Sequence, residues 1–216
     1  MVNLQDLNRN GHKMKTLYFI RHGQSEANVN YDVLKVKEDK DVLLTTQGKS
    51  DAVRAGRDMA DHLSGVPREQ ILFVVSPYVR TLQTFERVFA VSGMRDPGQE
   101  VAFEVLEDIV EHKVNLLNNP GNWKKFKEYE QSGWQPSTHM DVEYEGGESL
   151  RDVQQRARQF LVDAAQADFD HIVVVSHGLF IKMALSLIDN VNPDNIVHPN
   201  NGEIIPRRIK ADDETV

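Results

Sequence analysis

The sequence predicts an α/β fold, a three-layer sandwich with a mostly parallel central sheet and helices on both faces. Three observations carry that prediction. Short unbroken apolar runs, Leu17-Tyr18-Phe19-Ile20, Ile71-Leu72-Phe73-Val74-Val75 and Ile172-Val173-Val174-Val175, have the length and uniform hydrophobicity of strands buried on both faces. Segments with apolar residues at helical spacing lie between them, and such alternation implies parallel strands joined by helical crossovers. Two of the runs end in a His-Gly turn, Arg21-His22-Gly23 and Ser176-His177-Gly178. Such a turn delivers an imidazole to the carboxyl edge of the sheet, where open α/β folds bind ligands.

Taken in order, residues 1–14 read as an N-terminal tail and 15–20 as the first strand. A helix is expected over 47–63, opened by Gln47-Gly48-Lys49 and closed by Gly65-Val66-Pro67. The second strand is 71–75. Val79, Leu82, Phe85 and Phe89 place a helix over 78–91, with Gly93 as its stop signal. A shorter strand is expected at 101–105. Leu150, Val153, Ala157, Phe160 and Leu161 mark a strong helix over 149–167. The fourth strand, 172–176, is followed by a short apolar helix at 179–188. Residues 203–209 read as a last strand, which Pro206 assigns to a sheet edge. A frayed C-terminal tail is expected over 210–216.

The alternation stops between 112 and 148, where Asn118-Asn119-Pro120-Gly121 and Gly146-Gly147 bracket a helical stretch with Trp123, Phe126 and Tyr129. This segment reads as an insertion over the sheet's carboxyl edge, within a single domain spanning 15–209. There it is placed to set substrate choice. His112, Lys113, Lys124 and Lys125 are candidates to meet an anion, and Trp123, Trp134 and Tyr144 to wall an apolar group. A small satellite core and a solvated lysine face account for most of them more simply.

Composition narrows the function. The chain has 216 residues, 40% of them hydrophobic, enough for a sizeable core. No run approaches the roughly 18 apolar residues of a membrane span, and the first residues lack the apolar centre of a signal peptide. There is no cysteine, which excludes disulfides, thiolate metal sites and a thiol nucleophile. A cytoplasmic protein is the expectation. The net charge of −8, with a pI near 5.5, argues against nucleic-acid and anionic-membrane partners. A small phosphorylated substrate is compatible with it, because a local arginine cluster outweighs charges screened over about 10 Å.

The chemistry-bearing residues converge on such a substrate. A neutral imidazole attacks phosphorus, and His22 beside Arg21 is the candidate nucleophile. Gly23 lets backbone approach a phosphate closely and offers its N–H. Arg80, in Ser76-Pro77-Tyr78-Val79-Arg80-Thr81-Leu82-Gln83-Thr84, sits just past a strand in the first turn of a helix, where anions bind and a guanidinium grips phosphate oxygens in pairs. His177 is placed to steady the transferring group, since phosphoryl transfer is mostly positioning and charge stabilisation. Protonating the leaving oxygen requires an acid. Glu107, Asp108 and Glu111 follow the third strand, and Glu111 is preferred over Glu107 because it lies further out on the loop. The P-loop, His-Glu-x-x-His and Gly-x-Ser-x-Gly patterns are all absent, and the other histidines show no metal-ligand spacing.

From about residue 15 to 209 the motifs, in order, resemble those of the histidine phosphatase superfamily, the phosphoglycerate mutase-like fold. Leu17 to Asn28 resembles its opening strand and phosphate loop, and Leu44-Thr45-Thr46-Gln47-Gly48 its helix entry. Ser76 to Thr84 resembles its arginine segment, Gly146-Gly147-Glu148-Ser149 with Arg156 its Gly-Glu-Ser helix, and Val175-Ser176-His177-Gly178 its closing motif. The resemblance implies a phosphohistidine on His22, phosphoryl contacts from Arg21, Arg80 and His177, a hydrogen bond from Asn28, Glu111 as acid, and no metal or cofactor. Two departures bear on substrate. His112-Lys113-Val114-Asn115 follows Glu111 where the family carries a glycine-containing stretch. Residues 112–148 lack the arginine pair of the glycolytic mutases, and Arg207-Arg208 lies elsewhere. The expectation is therefore a metal-independent hydrolase of phosphomonoesters, a histidine acid phosphatase type. The alternatives are a mutase-like phosphotransferase and a phosphate-binding regulatory module without turnover.

Overall fold

The computed structural model describes residues 13–95 and 100–211. The tails expected at 1–14 and 210–216 lie outside the described residues except at residues 13, 14, 210 and 211. Among the described residues five strands form one sheet: β1 (Met14–Arg21), β2 (Ile71–Val75), β3 (Ala102–Val105), β4 (His171–Ser176) and β5 (Ile204–Lys210). Their spatial order is β3-β2-β4-β1-β5. The β1/β4, β2/β4 and β2/β3 pairs are parallel, and β5 alone runs antiparallel, along β1. Pro206 faces Tyr18 in that edge pairing, where its missing N–H costs no inner ladder bond.

Among the described residues six α-helices surround the sheet: α1 (Glu26–Val29), α2 (Thr46–His62), α3 (Val79–Val91), α4 (Pro120–Gln131), α5 (Leu150–Gln166) and α6 (Gly178–Ile188). The two-residue period of a strand divides the core into two layers. Leu17, Phe19, Ile172 and Val174 pack with Leu150, Val153, Phe160 and Phe180 of α5 and α6. Tyr18, Ile20, Val173 and Val175 pack on the other face with Ala55, Met59 and Val88 of α2 and α3. Because both faces are covered, β1 and β4 need apolar residues at consecutive positions.

The helix entries differ in one respect from the expected ones. The Thr45 side chain accepts from Gly48 N at 3.1 Å, so α2 starts at Thr46 and Gly48 lies inside its first turn. Gly48 is there for contact. A Cβ on it would stand 1.9 Å from Gln24 O, and one on Gly23 would stand 2.1 Å from Gly48 O. These two glycines let the loop after β1 lie against the start of α2. Gly48→Ala is expected to destabilise the fold by about 3 kcal/mol, since backbone offers no rotamer to relieve the clash. Thermal unfolding would record a fall of roughly 6–12 °C for a chain of this size. Gly121→Ala, whose Cβ meets nothing closer than 3.5 Å, is the control expected to melt normally. α5 begins with a reciprocal cap in which Ser149 and Asp152 each accept from the other's backbone N–H.

Candidate active site

Strand register brings the two His-Gly turns together. Arg21 pairs with Ser176, the last step of the β1/β4 ladder. His22 N donates to Ser176 O at 3.0 Å, so the residues that follow, His22 and His177, leave adjacent strands side by side. Their ring centroids are 5.2 Å apart. β2 lies on the other side of β4, and the chain beyond it enters α3 with Arg80 as its second residue. Arg80 Nε donates to His22 Nε2 at 3.2 Å. Three neighbouring strands thus bring two imidazoles and a guanidinium to one edge.

The hydrogen bonds of His22 determine its tautomer. Nδ1 lies 2.7 Å from Gly23 O, which can only accept, so the ring proton is on Nδ1 and the lone pair on Nε2. Burial, with Arg80 and then Arg21 close by, pushes the His22 pKa well below the usual histidine value. His177 is lowered in the same way, by burial first and then by Arg80 and His22. Both rings are neutral at pH 7. Ser76 Oγ holds His177 Nε2 at 2.8 Å, and His177 Nδ1 is buried without a hydrogen-bond partner among the described residues.

A cavity of about 510 Å³ is lined among others by Arg21, His22, Asn28, Arg80 and Glu111, whereas His177 is fully buried and is not among its lining residues. Arg21 donates from Nη1 to Pro199 O at 2.6 Å, while its Nε is buried without a partner among the described residues. Asn28 Oδ1 accepts from Ser25 N at 3.0 Å and Asn201 Nδ2 at 3.1 Å, which leaves the Asn28 amide nitrogen as its free donor among the described residues. Arg80 is only 3% exposed, and its fork is engaged by Asp39: Nη1 lies 3.0 Å from Asp39 Oδ1 and Nη2 3.2 Å from Oδ2.

The geometry favours Glu111 over Glu107. Glu111 lines the same cavity as His22, whereas Glu107 is exposed and outside it. Burial raises the Glu111 pKa, the direction an acid at neutral pH requires. The loop carrying it is held at several points. Arg156 pairs with Glu148, at 2.7 Å for Nη2–Oε1, and also donates to Asp108 O and, at 3.3 Å, to Val110 O. Glu148 Oε1 in turn accepts from Lys113 N at 3.0 Å. Ser176 Oγ donates to Ile109 O at 2.6 Å, tying the loop to the end of β4.

Some expectations are corrected. The Gly23 N–H donates to Thr84 Oγ1 at 3.1 Å and Gly23 is not among the cavity's lining residues, so in this structure its N–H is not offered to a ligand. His112 does not present a charge to a ligand. It is 5% exposed, its Nε2 lies 2.9 Å from Glu148 O, and burial lowers its pKa to about 4. Tyr144 and Trp123 pack in the satellite cluster with Leu34 and Phe126, while Trp134 reaches the cavity wall. Lys125 is bound to Glu143 O at 2.5 Å.

Asp39, in a short 3₁₀ turn, and His198 and Asn201, in loops, carry no periodicity from which a place in the site can be read. Asn201 Nδ2 donates to His22 O at 3.0 Å and supports the loop from behind. Lys182 did leave a signal, as the one charged residue of an otherwise apolar α6. Among the described residues no group of three or more His, Asp or Glu side chains is arranged to hold a metal.

Comparison with known proteins bears on the family and the fold. The chain is 26% identical over 194 residues to the 2,3-bisphosphoglycerate-dependent phosphoglycerate mutase of Azorhizobium caulinodans, covering 85% of each chain. Among solved structures it resembles a protein described as mycobacterial hydrolase 1, with a TM-score of 0.66 and 19% identity over 91% of this chain and 92% of that one. It also resembles a mycobacterial glucosyl-3-phosphoglycerate phosphatase complexed with VO3, with a TM-score of 0.64 and 20% identity over 89% and 90% of the two chains. At these identities the structural likeness establishes the fold. Residues 17–214 match the model of the histidine phosphatase superfamily, branch 1, and with that match over nearly the whole sequence the protein belongs to this superfamily.

Proposed function

We propose that this protein is a metal-independent phosphatase that hydrolyses phosphomonoesters through a phosphohistidine on His22. The observation that carries the reading is the state of His22: buried, neutral, its Nδ1 proton tied to Gly23 O and its Nε2 lone pair accepting from Arg80 Nε, a bond that an incoming phosphoryl group would replace. An imidazole so held is a nucleophile aimed at the place where Arg21 and Arg80 would gather phosphoryl oxygens.

In the first step His22 Nε2 bonds to phosphorus, the ester P–O bond breaks, and the Glu111 proton passes to the departing alkoxide. Arg21, Arg80 and His177 hold the charge spread over the phosphoryl oxygens, and Asn28 adds a donor. In the second step the Glu111 carboxylate takes a proton from water as its oxygen bonds to phosphorus. The N–P bond breaks, releasing phosphate and neutral His22. The lack of an arginine pair in residues 112–148 supports transfer to water over transfer to a phosphorylated acid, although curated relatives bear a mutase name.

The test is hydrolysis of p-nitrophenyl phosphate in excess chelator, with the enzyme quenched in alkali, where a phosphoramidate survives. Turnover together with a phosphate adduct on the peptide carrying His22 is expected. Dependence on added metal, an adduct on another residue, or tight vanadate binding without any hydrolysis would overturn the reading.

A further inference from the structure

The proposed chemistry uses one end of the cavity. The same cavity is also lined by Tyr31, Leu34, Phe126 and Trp134, an apolar and largely aromatic wall, and by two polar side chains, Tyr129 and Lys182, that this chemistry does not use. Tyr129 is 3% exposed, and its hydroxyl has no hydrogen-bond partner among the described residues. Lys182 is 7% exposed and forms no ion pair or hydrogen bond among the described residues, although both side chains line the cavity. Asp194 acts on the lysine only through its charge, which favours the ammonium without an ion pair, while its carboxylate accepts from Ser137 N at 3.0 Å and from Ser137 Oγ. Burying an unpaired hydroxyl is costly, and a bound anion that accepts from it while pairing with the lysine recovers that cost.

We infer that Tyr129 and Lys182 form a second recognition site in the same cavity, which binds a carboxylate on the alcohol portion of the substrate. Resting on the phosphatase reading, this names the substrate class: a phosphomonoester whose leaving group has an aromatic or similarly bulky apolar body ending in a carboxylate. The lysine supplies the charge, the tyrosine the directed hydrogen bond, and Trp134 and Phe126 the apolar contact. Burial lowers the Lys182 pKa, and an anion beside it reverses that shift. A three-carbon phosphoacid would leave most of the roughly 510 Å³ to water and the aromatic wall without contact.

The experiment compares 3-carboxyphenyl phosphate with its near-isostere 3-carbamoylphenyl phosphate, and with 3-phosphoglycerate. The carboxylate ester is expected to exceed both by about tenfold or more in kcat/KM, a charge-assisted contact worth about 1.4 kcal/mol. Lys182→Met should bring the carboxylate-to-carbamoyl ratio close to one, and Tyr129→Phe should lower it about threefold. The ratio does not depend on the fraction of enzyme that is folded. Equal rates for the two aryl esters in the wild type, a ratio that survives Lys182→Met, or preferred use of 3-phosphoglycerate would overturn the inference. If neither aryl ester is hydrolysed, the phosphatase reading fails, and calorimetric binding of the two esters decides this one. Tenfold tighter binding of the carboxylate, lost in Lys182→Met, sustains it, and equal binding refutes it.

Discussion

His22→Ala is expected to lower phosphatase turnover by at least about 10⁴-fold, the scale on which enzymes lose activity when a covalent nucleophile is removed. Alanine deletes the Nε2 lone pair and with it the bond that divides hydrolysis into two steps. It also removes the acceptor of the Arg80 Nε hydrogen bond, at 3.2 Å, so Arg80 remains to bind phosphate but has nothing beside it to receive the phosphoryl group. The phosphate adduct should vanish, while the protein still binds inorganic phosphate through Arg21 and Arg80. Steady-state assay and mass spectrometry of the alkali-quenched enzyme measure the two effects together. A His22→Ala enzyme that retains a tenth of wild-type activity would mean that water attacks the ester directly and that the histidine is only a neighbour.

Glu111→Gln is expected to lower kcat on alkyl phosphates by about 10²–10³-fold, or roughly 2.7–4 kcal/mol of barrier. Glutamine keeps the shape and loses the proton. The effect should depend on the leaving group. p-Nitrophenoxide departs without an acid, so its release step changes little, but the water attack still lacks its base. Phosphohistidine then accumulates, and nitrophenol appears as a burst before a slow steady rate. The pH profile gives an independent check. Activity needs His22 neutral and Glu111 protonated. Burial lowers the first pKa from 6.5 and raises the second from 4.5. In the wild type kcat/KM therefore rises as pH climbs through the lowered His22 pKa and falls as it passes the raised Glu111 pKa. Glu111→Gln should abolish the alkaline fall and leave the acid limb. Glu107→Gln, at an exposed position outside the cavity, should change kcat less than twofold.

How much of this was legible in the sequence follows from how each part is encoded. β1, β2 and β4 could be read because a strand covered on both faces must be apolar at every position, and His22, His177 and Arg80 could be read because they stand at or just beyond the ends of such strands. The loop after β1 could not. It folds into short 3₁₀ turns held by local side-chain bonds, such as Asn30 Oδ1 accepting from Asp32 N at 3.0 Å, and such bonds leave no periodicity. Asp39 was missed for that reason. For Gly23 a sequence shows that a backbone can come close to something, but not to what. Here it is Gly48, 25 residues further along the chain. His112 followed the acid closely enough to look like part of the chemistry, yet its ring turns back to the Glu148 carbonyl. Tyr129 was placed on the right helix, but an unpaired hydroxyl becomes visible only when every neighbour is known.

The Asp39 carboxylate on the Arg80 fork gives the proposed reaction a threshold. Phosphate does not enter a vacant cationic seat. It competes with an anion tethered to the same chain, so the affinity an assay records is a difference between two ion pairs. A monoanion of a carboxylate's strength gains almost nothing by the exchange, whereas a phosphate dianion brings a second charge and a third oxygen. Selectivity for doubly charged phosphomonoesters over the far more abundant carboxylates of a cell thus arises from the resting state of the arginine, before any substrate is bound.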